Sequence, residues 1–295
     1  MKRLLAAALL AALVPCAAAA PVAATDDSGR RIELPRPAQR IAALSPHLVE
    51  QLAAIGVADR IVATSEFADH PPAALKIPRV SRAGNVDLER LAALKPDLVL
   101  LWGGGTSPAL RAAVERLGLP VYVNEASDLD SIATSMERLG ALTAAPQAGA
   151  AAAQFRRELQ ALQRDYGGQA ALRVFFQVWP APLMTVGGSQ VISQAISLCG
   201  GRNVFAELAA LAPTVSTEAV LARDPQLIAS AEPGGREAPG FRPPWLAYPQ
   251  ISAVRTRSFV TLDADRLNRA GPRMPAEIGR LCRAIAAARS ASVTR

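Results

Sequence analysis

Two glutamates occupy the same position in two copies of one short sequence unit. The copies read VDLERLAALKPDLVLL and VSTEAVLARDPQLIAS, and they align without a gap so that Glu89 corresponds to Glu218. Each glutamate follows a capping-type residue, Asp87 or Ser216, by two positions and falls in the first turn of a predicted helix. The helix dipole stabilises a carboxylate there by roughly 0.3 to 1 kcal/mol, which alone could account for both residues. The duplication also favours a docking function, because two equivalent acidic points suit a twofold-symmetric partner with basic pockets.

Two tryptophans are candidates for a ligand-stacking surface. Trp102 ends the aliphatic run DLVLLW, and Trp179 ends the run RVFFQVW. Ligands favour the carboxyl ends of parallel strands, although a tryptophan at such a place is as often part of the rim packing. If both side chains face one cleft from opposite sides, they form a platform for a large, flat ligand.

Residue patterns for catalysis, metal binding or nucleic-acid binding are weak. His47 and His70 have no metal-ligand spacing with Cys, Asp or Glu, and no G-x-S-x-G elbow, C-x-x-C pair or P-loop occurs. The run Gly103–Gly105 follows a predicted strand but lacks the G-x-G-x-x-G spacing, so we interpret it as a flexible loop. The formal charge of +7 comes from scattered arginines without a basic run, which does not support a nucleic-acid partner. We therefore predict no catalytic residues, no metal site and no cofactor.

Residues 1–24 have the pattern of a cleavable secretory signal peptide. A lysine and an arginine follow the initial methionine, and an apolar run over residues 4–14 is succeeded by small residues. The run is too short to span a bilayer. A membrane anchor, or a lipoprotein attached through Cys16, is therefore a minor alternative. We expect cleavage within residues 19–24, either just before Ala20 or after Ala24, and a soluble periplasmic protein.

Export also affects the interpretation of the two cysteines that remain, Cys199 and Cys282. Both lie in apolar, helix-like contexts, AISLCGG and IGRLCRAI. Because an exported protein meets an oxidising compartment, this even number favours a disulfide between them. Two buried free thiols are the alternative.

The elements that position these residues alternate between aliphatic strands and amphipathic helices. The strands are continuous apolar runs, which is typical of a parallel sheet covered on both faces. One long Ala-, Gln- and Arg-rich helical pattern interrupts the alternation and ends at two glycines. We predict an α/β fold with two lobes, each a mainly parallel sheet flanked by helices, joined by one long backbone helix. The expected divisions are an N-terminal lobe at 25–145, a linking helix at 146–167, and a C-terminal lobe at 168–295.

Several segments in a fixed order carry a resemblance to a known family. They are SEFADHPP, NVDLERLAALKPDLVLLW, RVFFQVWPAP, SLCGGRNVF, VSTEAVLARDP and DADRLNRAGPR. In these the chain resembles the helix-backbone class (class III) of periplasmic substrate-binding proteins of ABC importers, whose members carry cobalamin, haem or ferric siderophores. The resemblance runs from about Arg40 to Ala286 and is strongest to the cobalamin-binding members.

The resemblance implies roles for several residues outside the ligand cleft. Glu89 and Glu218 are expected to engage arginines on a dimeric permease in the inner membrane, and Cys199 and Cys282 are expected to form the disulfide of the family. The protein itself is expected to be a monomer.

In the cleft, the resemblance implies that Phe67 and Trp102 line the ligand and that Asp265 and Arg269 are the acid and base of a ligand-contacting loop. The chain departs from the aromatic lining of the cobalamin-binding members at four positions, which are Ala83, Val178, Met184 and Ala212. We expect Trp179 to compensate for part of that loss.

The resemblance, together with the predicted export and the two-lobed fold, implies a protein that captures a corrinoid, most of all cobalamin, and delivers it to an ABC importer. The alternative within the class is a haem or ferric-siderophore carrier that uses Arg266, Arg269 or Arg273 against ligand carboxylates. An exported α/β enzyme with an unrecognised site is the remote alternative.

Overall fold

The structure is a computed structural model that describes residues 20–82 and 84–293. Most of the predicted signal peptide, residues 1–19, and one of the four aromatic departures, Ala83, therefore lie outside the described residues. Within the described ranges, no helix combines the length and apolar character that crossing a membrane requires.

The N-terminal lobe is built on a six-stranded sheet. Its strands are β3 (Ile41–Ala43), β4 (Ile61–Ser65), β5 (Arg79–Arg82), β6 (Asn85–Val86), β7 (Leu98–Trp102) and β8 (Val121–Asn124). They lie in the order β6-β5-β4-β3-β7-β8, and every neighbouring pair is parallel except β5 with β6. Its helices are α1 (Pro46–Ala54), α2 (Leu88–Ala93), α3 (Pro108–Glu115) and α4 (Leu129–Thr143).

A short hairpin precedes this sheet, and the sequence predicts only its second strand, at Arg31–Leu34. Strand β1 (Val22–Thr25) pairs antiparallel with β2 (Arg31–Leu34). The alternation of β2 buries Ile32 and Leu34 and exposes Arg31 and Glu33, as expected for a strand with one covered face. Because Ala24 of β1 is also buried, the hairpin belongs to the folded core.

The C-terminal lobe has a parallel four-stranded sheet in the order β12-β9-β13-β14. Its strands are β9 (Leu172–Gln177), β12 (Gly201–Asn203), β13 (Leu227–Glu232) and β14 (Phe259–Asp263), and a separate hairpin pairs β10 (Trp179–Pro180) with β11 (Leu183–Met184). Its helices are α6 (Val191–Leu198), α7 (Thr217–Arg223), α8 (Pro243–Leu246), α9 (Ser252–Arg255), α10 (Ala264–Leu267) and α11 (Met274–Val293).

Helix α5 (Ala148–Tyr166) lies between the two sheets in the chain. It buries Ala148, Ala152, Phe155 and Leu159, a spacing of three and four residues that places all of them on one face. The mixed α/β architecture with parallel sheets confirms the predicted fold class, while the residue boundaries of the lobes stay predictions.

Alternate residues of the central strands enter different clusters, because the sheets are covered on both faces. In β7, Leu98 and Leu100 join the main hydrophobic cluster, whereas Val99 and Leu101 join a second cluster with residues of α2 and α3. In β9, Val174 and Phe176 join the same main cluster. The main cluster therefore runs without interruption through both lobes.

The end of the chain differs from the sequence-based expectation. The helical pattern of the sequence from Met274 predicts a last helix that ends near Ala287. Helix α11 instead continues to Val293, and it is longer than α5. The hydroxyl groups of Ser290 and Ser292 donate to backbone carbonyls one turn earlier, which keeps these small polar residues compatible with a helix. The predicted disulfide is present, and it joins Cys199 at the end of α6 to Cys282 of α11.

Candidate functional site

A cleft between the lobes holds a cavity of about 280 Å³. The N-terminal lobe contributes Ser45, His47, Trp102 and Glu125, which follow or end strands β3, β7 and β8. The C-terminal lobe contributes residues 189–191, Leu211 and residues 268–270. The cavity thus lies at the carboxyl ends of parallel strands, where ligands of open α/β sheets bind. We call this space the cleft.

A second cavity of about 240 Å³ continues the cleft along the N-terminal lobe. It is lined by Phe67, and it shares Ser45, Pro46 and Trp102 with the first cavity. Phe67 is 70% exposed, and its φ of 64° lies in the left-handed region that aromatic residues rarely adopt. A large apolar side chain held open in a strained conformation beside a cavity is typical of a ligand contact.

Trp102 lies where the two cavities meet, and it is 44% exposed. A Cβ atom at Gly105 would overlap Cε3 of the Trp102 indole. Sterics therefore explain the glycine at this position, because only a residue without a side chain lets the loop pass the indole ring. The sequence suggested only flexibility for Gly103–Gly105.

His47 is buried at the floor of the cleft and uses both ring nitrogens. Nδ1 lies 2.7 Å from the Ser45 hydroxyl, and Nε2 lies 2.9 Å from Oδ1 of Asn124. The amide nitrogen of Asn124 donates to Asp27 and to Ser135, so its oxygen accepts and Nε2 of the histidine donates. Burial lowers the pKa of His47 to about 4, which makes the imidazole neutral near pH 7.

This hydrogen-bond chain continues from the cleft floor into the other lobe. The Ser135 hydroxyl donates to Oε1 of Gln51 over 2.8 Å. The amide nitrogen of Gln51 in turn donates to the carbonyl of Ala270 over 3.0 Å. The orientation of each buried polar group is therefore fixed by the next one.

An ion-pair cluster joins the lobes beside this chain. Glu50 of α1 is only 2% exposed, and it accepts hydrogen bonds from Arg273 and Arg269. Arg269 also donates to Asp69 over 2.6 Å and to Asp265 over 2.8 Å. The Arg269 guanidinium holds the pKa of Asp69 below its usual range. We call these five residues the interlobe ion cluster, and it contains one more carboxylate than guanidinium.

The cluster gives a structural role to the predicted acid and base of the ligand loop. Asp265 and Arg269 lie together, and Arg269 lines the cleft, but each is already hydrogen-bonded to the other. Their contact with a ligand stays a prediction. The sequence did not reveal Glu50, because its partners are more than 200 residues away in the chain.

Trp179 does not lie where the sequence placed it. We expected it at the end of the strand RVFFQVW, but β9 ends at Gln177 and Trp179 lies in the hairpin, paired with Met184. The chain leaves the main sheet because Val178 donates its backbone N–H to Met184 instead of extending the ladder. Trp179 is 58% exposed, its indole donates to the Ala181 carbonyl, and it lines neither cleft cavity.

The repeated glutamates have the same local geometry in both lobes. Asp87 and Ser216 are the N-caps of α2 and α7, and each accepts a hydrogen bond from the backbone N–H three residues on. Glu89 and Glu218 follow in the first turns, both are exposed, and neither forms an ion pair within the described residues. The backbone N–H of Glu218 itself, and then Ser216, lower the pKa of Glu218.

Glu125 is a cleft residue that the sequence analysis missed. It directly follows β8, just as Trp102 ends β7. Because ligands bind at the carboxyl ends of parallel strands, the argument that singled out Trp102 also applies to Glu125. Burial raises the pKa of Glu125, while the Gly104 N–H and the Trp102 indole oppose that shift. Among the described residues, no group of three or more His, Cys, Asp and Glu side chains is arranged to hold a metal ion.

Comparison with known proteins gives this cleft a family context. The family model for periplasmic binding proteins matches residues 41–265. The chain belongs to the periplasmic binding protein family. This confirms the predicted resemblance. The members of the family and the relatives of this binding protein are binding proteins and not enzymes, which confirms the prediction that the protein is not an enzyme.

Named relatives narrow the comparison further. This binding protein is 37% identical over 249 residues to the vitamin B12-binding protein of Vibrio cholerae, which covers 84% of this chain and 89% of the relative. The crystal structure of the periplasmic vitamin B12-binding protein BtuF of Vibrio cholerae matches with a TM-score of 0.78 at 36% identity, over 86% of this chain and 98% of that chain. The haem-binding protein BhuT, in complex with two haems, matches with a TM-score of 0.74 at 27% identity, over 84% and 98%.

Proposed function

We propose that this binding protein is exported to the periplasm, where it captures a corrinoid, most of all cobalamin, and delivers it to an ABC importer. The observation that carries the proposal is the cleft itself: an exposed tryptophan stands beside serine, glutamine and asparagine side chains, and the arginine of the cleft is already paired with acids, in a chain 37% identical to a protein named for vitamin B12 binding. The indole face suits a large conjugated ring, and the serine, glutamine and asparagine side chains suit uncharged amides. The ligand is cargo, so no resident cofactor is proposed.

The charges of the cleft favour a corrinoid over haem or a ferric siderophore. Haem carries carboxylates that call for free cations, and its iron takes an axial ligand from the protein. Arg269 and Arg273 are bound to acids of the interlobe ion cluster, and Arg266 lies 3.2 Å from Asp263. His47, the one imidazole that lines the described cleft, has both nitrogens in hydrogen bonds. A haem carrier would have to break several of these contacts.

Delivery is proposed to use Glu89 and Glu218 as docking charges. Both are exposed and without ion-pair partners among the described residues, and each sits at the same point of a duplicated unit. A dimeric permease offers two equivalent surfaces, so one acidic point from each lobe of a monomeric binding protein matches its symmetry.

The test is titration of the purified protein with cyanocobalamin, haemin and ferric siderophores, followed by tryptophan fluorescence. Cyanocobalamin should give saturable quenching, because Trp102 stands beside an absorbing ring. Trp102→Phe should lose most of that signal, whereas Trp245→Phe should keep it, because Trp245 is buried against Gln177 in the C-terminal lobe. Saturable binding of haemin without any response to a corrinoid at micromolar levels would replace this proposal with the haem alternative.

A further inference from the structure

Glu125 is a carboxylate in the cleft that lacks a cation. It lines the cavity together with Trp102, and within the described residues no Lys, Arg or His nitrogen forms an ion pair with it. The charged group that acts on the pKa of Glu125 is another acid, Asp27, which forms an ion pair with Arg138. A partly buried acid without a cation is costly, and such groups concentrate at functional sites.

The Glu125 carboxylate lies close to the loop that carries Trp102. The Gly104 backbone N–H and the Trp102 indole N–H act to lower its pKa against the larger effect of burial, and the backbone N–H of Glu125 donates to Asp27 over 2.8 Å. A Cβ atom at Gly103 would come within 2.8 Å of Oε2 of Glu125, so the loop that carries Trp102 approaches this carboxylate closely. The acid and the tryptophan therefore lie against the same glycine loop.

The surroundings give the cleft a negative rather than a positive character. The cation that lines the cavity beside Glu125, Arg269, is shared among Glu50, Asp69 and Asp265, and the cation of the second cavity, Arg82, lies 3.3 Å from Glu66. Glu125 adds a further negative charge on the opposite wall, while Ser189, Gln190 and Asn268 add none. A ligand carboxylate entering this space meets repulsion from Glu125 without a free cation to offset it.

An ionised carboxylate only accepts hydrogen bonds, so it selects ligand groups that donate them. The corrin ring of cobalamin is surrounded by carboxamides, whose N–H groups are such donors. We propose that Glu125 is a specificity residue that accepts a hydrogen bond from a peripheral carboxamide of the corrinoid and rejects ligands with a carboxylate at that place. This inference rests on the proposed function, since it names the part of the corrinoid that the cleft distinguishes.

The experiment compares cyanocobalamin with its monocarboxylic acid derivatives, in which one propionamide is hydrolysed to a carboxylate. Calorimetric titration of the wild-type protein should show at least one isomer that binds roughly tenfold more weakly than cyanocobalamin. In Glu125→Gln this penalty should shrink below about threefold, because the charge is gone but an acceptor oxygen remains. The emission maximum of free Glu125→Gln should match that of the wild type, since the amide oxygen still faces the Trp102 indole.

Glu158→Gln is the matched control. Glu158 is exposed on α5, away from the cleft residues, and its replacement makes the same change in net charge and in chemistry. It should keep the full wild-type penalty. A measurement on the wild type alone gives a second test: raising salt from 0.1 to 1 M should reduce the penalty, since the screening length falls from about 10 to about 3 Å.

The outcomes separate the two proposals. Absence of cyanocobalamin binding in the wild type would overturn the proposed function, and this inference with it. Tight binding of cyanocobalamin and of all the monocarboxylic acids alike would overturn the inference alone, as would a penalty that persists unchanged in Glu125→Gln.

Discussion

Arg273, in the turn directly before α11, holds Glu50 of α1 through two hydrogen bonds, from Nε to Oε2 over 2.8 Å and from Nη2 to Oε1 over 2.6 Å. The two residues are 223 positions apart in the chain and belong to different lobes. The paired geometry satisfies both oxygens of a carboxylate that is almost fully buried. The two lobes are therefore joined beside the cleft by a paired contact between charged groups.

Removal of the Glu50 charge should destabilise the fold more than removal of any exposed acid. Glu50→Gln leaves Arg269 and Arg273 without their shared partner, so the free energy of unfolding should fall by about 3 kcal/mol in urea titration. Glu33→Gln, at an exposed pair with Arg31, should cost less than about 1 kcal/mol. Equal losses in both variants would show that the interlobe pair adds little to stability.

The buried His47 should make stability depend on pH. Its pKa is about 4 in the folded protein and near 6.5 when unfolded, so the unfolded chain binds more protons between these values. The stabilisation is complete above pH 6.5 and should be lost as the pH falls toward 4, to a total of about 3 kcal/mol from this group.

Proton NMR gives the direct measurement, because the chain has only two histidines. The imidazole signal that remains in His70→Gln should titrate near pH 4. If that signal titrates near pH 6.5 instead, the His47 imidazole is solvent-exposed and burial does not lower its pKa.

The sequence predicted most of the scaffold because its signals are local. The unit DLERLAALKPDLVLLW contains its own cap, its apolar helix face and its buried strand, and each is found as expected in α2 and β7. Trp102 was placed correctly by the same logic, since it is the last residue of its strand. Trp179 was misplaced because two prolines and a backbone bond to Met184 end the strand early.

The floor of the cleft could not be predicted in this way. Glu50, Gln51 and His47 lie on one amphipathic helix, and nothing in their spacing indicates that their partners come from distant segments. Strand β1 was missed because it follows a signal-type composition and is too short to show a period. These features depend on tertiary contacts rather than on local propensity.

The proposed docking glutamates can be separated from ligand binding. Glu89→Gln with Glu218→Gln should leave cyanocobalamin affinity unchanged, because both side chains are exposed and neither lines the cleft. Stimulation of the transporter ATPase should fall roughly tenfold, and more for the double change to Lys, where like charges then meet. Added salt should also weaken stimulation by the wild type.

The control for docking is the double change of Glu33 and Glu158 to Lys. It alters the net charge by the same amount on two exposed acids elsewhere. If the double Lys variant at positions 89 and 218 still stimulates the ATPase fully, the two glutamates do not act in docking, and their interaction with the helix dipole is sufficient to explain them.

The proposed cleavage of the signal peptide should preserve the first hairpin. Cleavage just before Ala20 keeps β1 intact, whereas cleavage after Ala24 removes three of its four residues and uncovers Ile32. The intact mass of periplasmic protein should therefore correspond to a chain that begins at Ala20. A form that begins at Thr25 should be less stable by about 1 to 2 kcal/mol in thermal unfolding, because buried apolar area is lost. A mature mass that begins at Thr25 would contradict this.

The main hydrophobic cluster passes through both lobes without interruption. Consequently the lobes are expected to unfold as one cooperative unit, and neither should persist when the other melts. The distance between the cleft walls is then settled when the chain folds, and a ligand meets surfaces that are already in place. Because binding does not have to order two mobile lobes, the loss of conformational entropy on binding is small, and little of the free energy of the ligand contacts is spent on it.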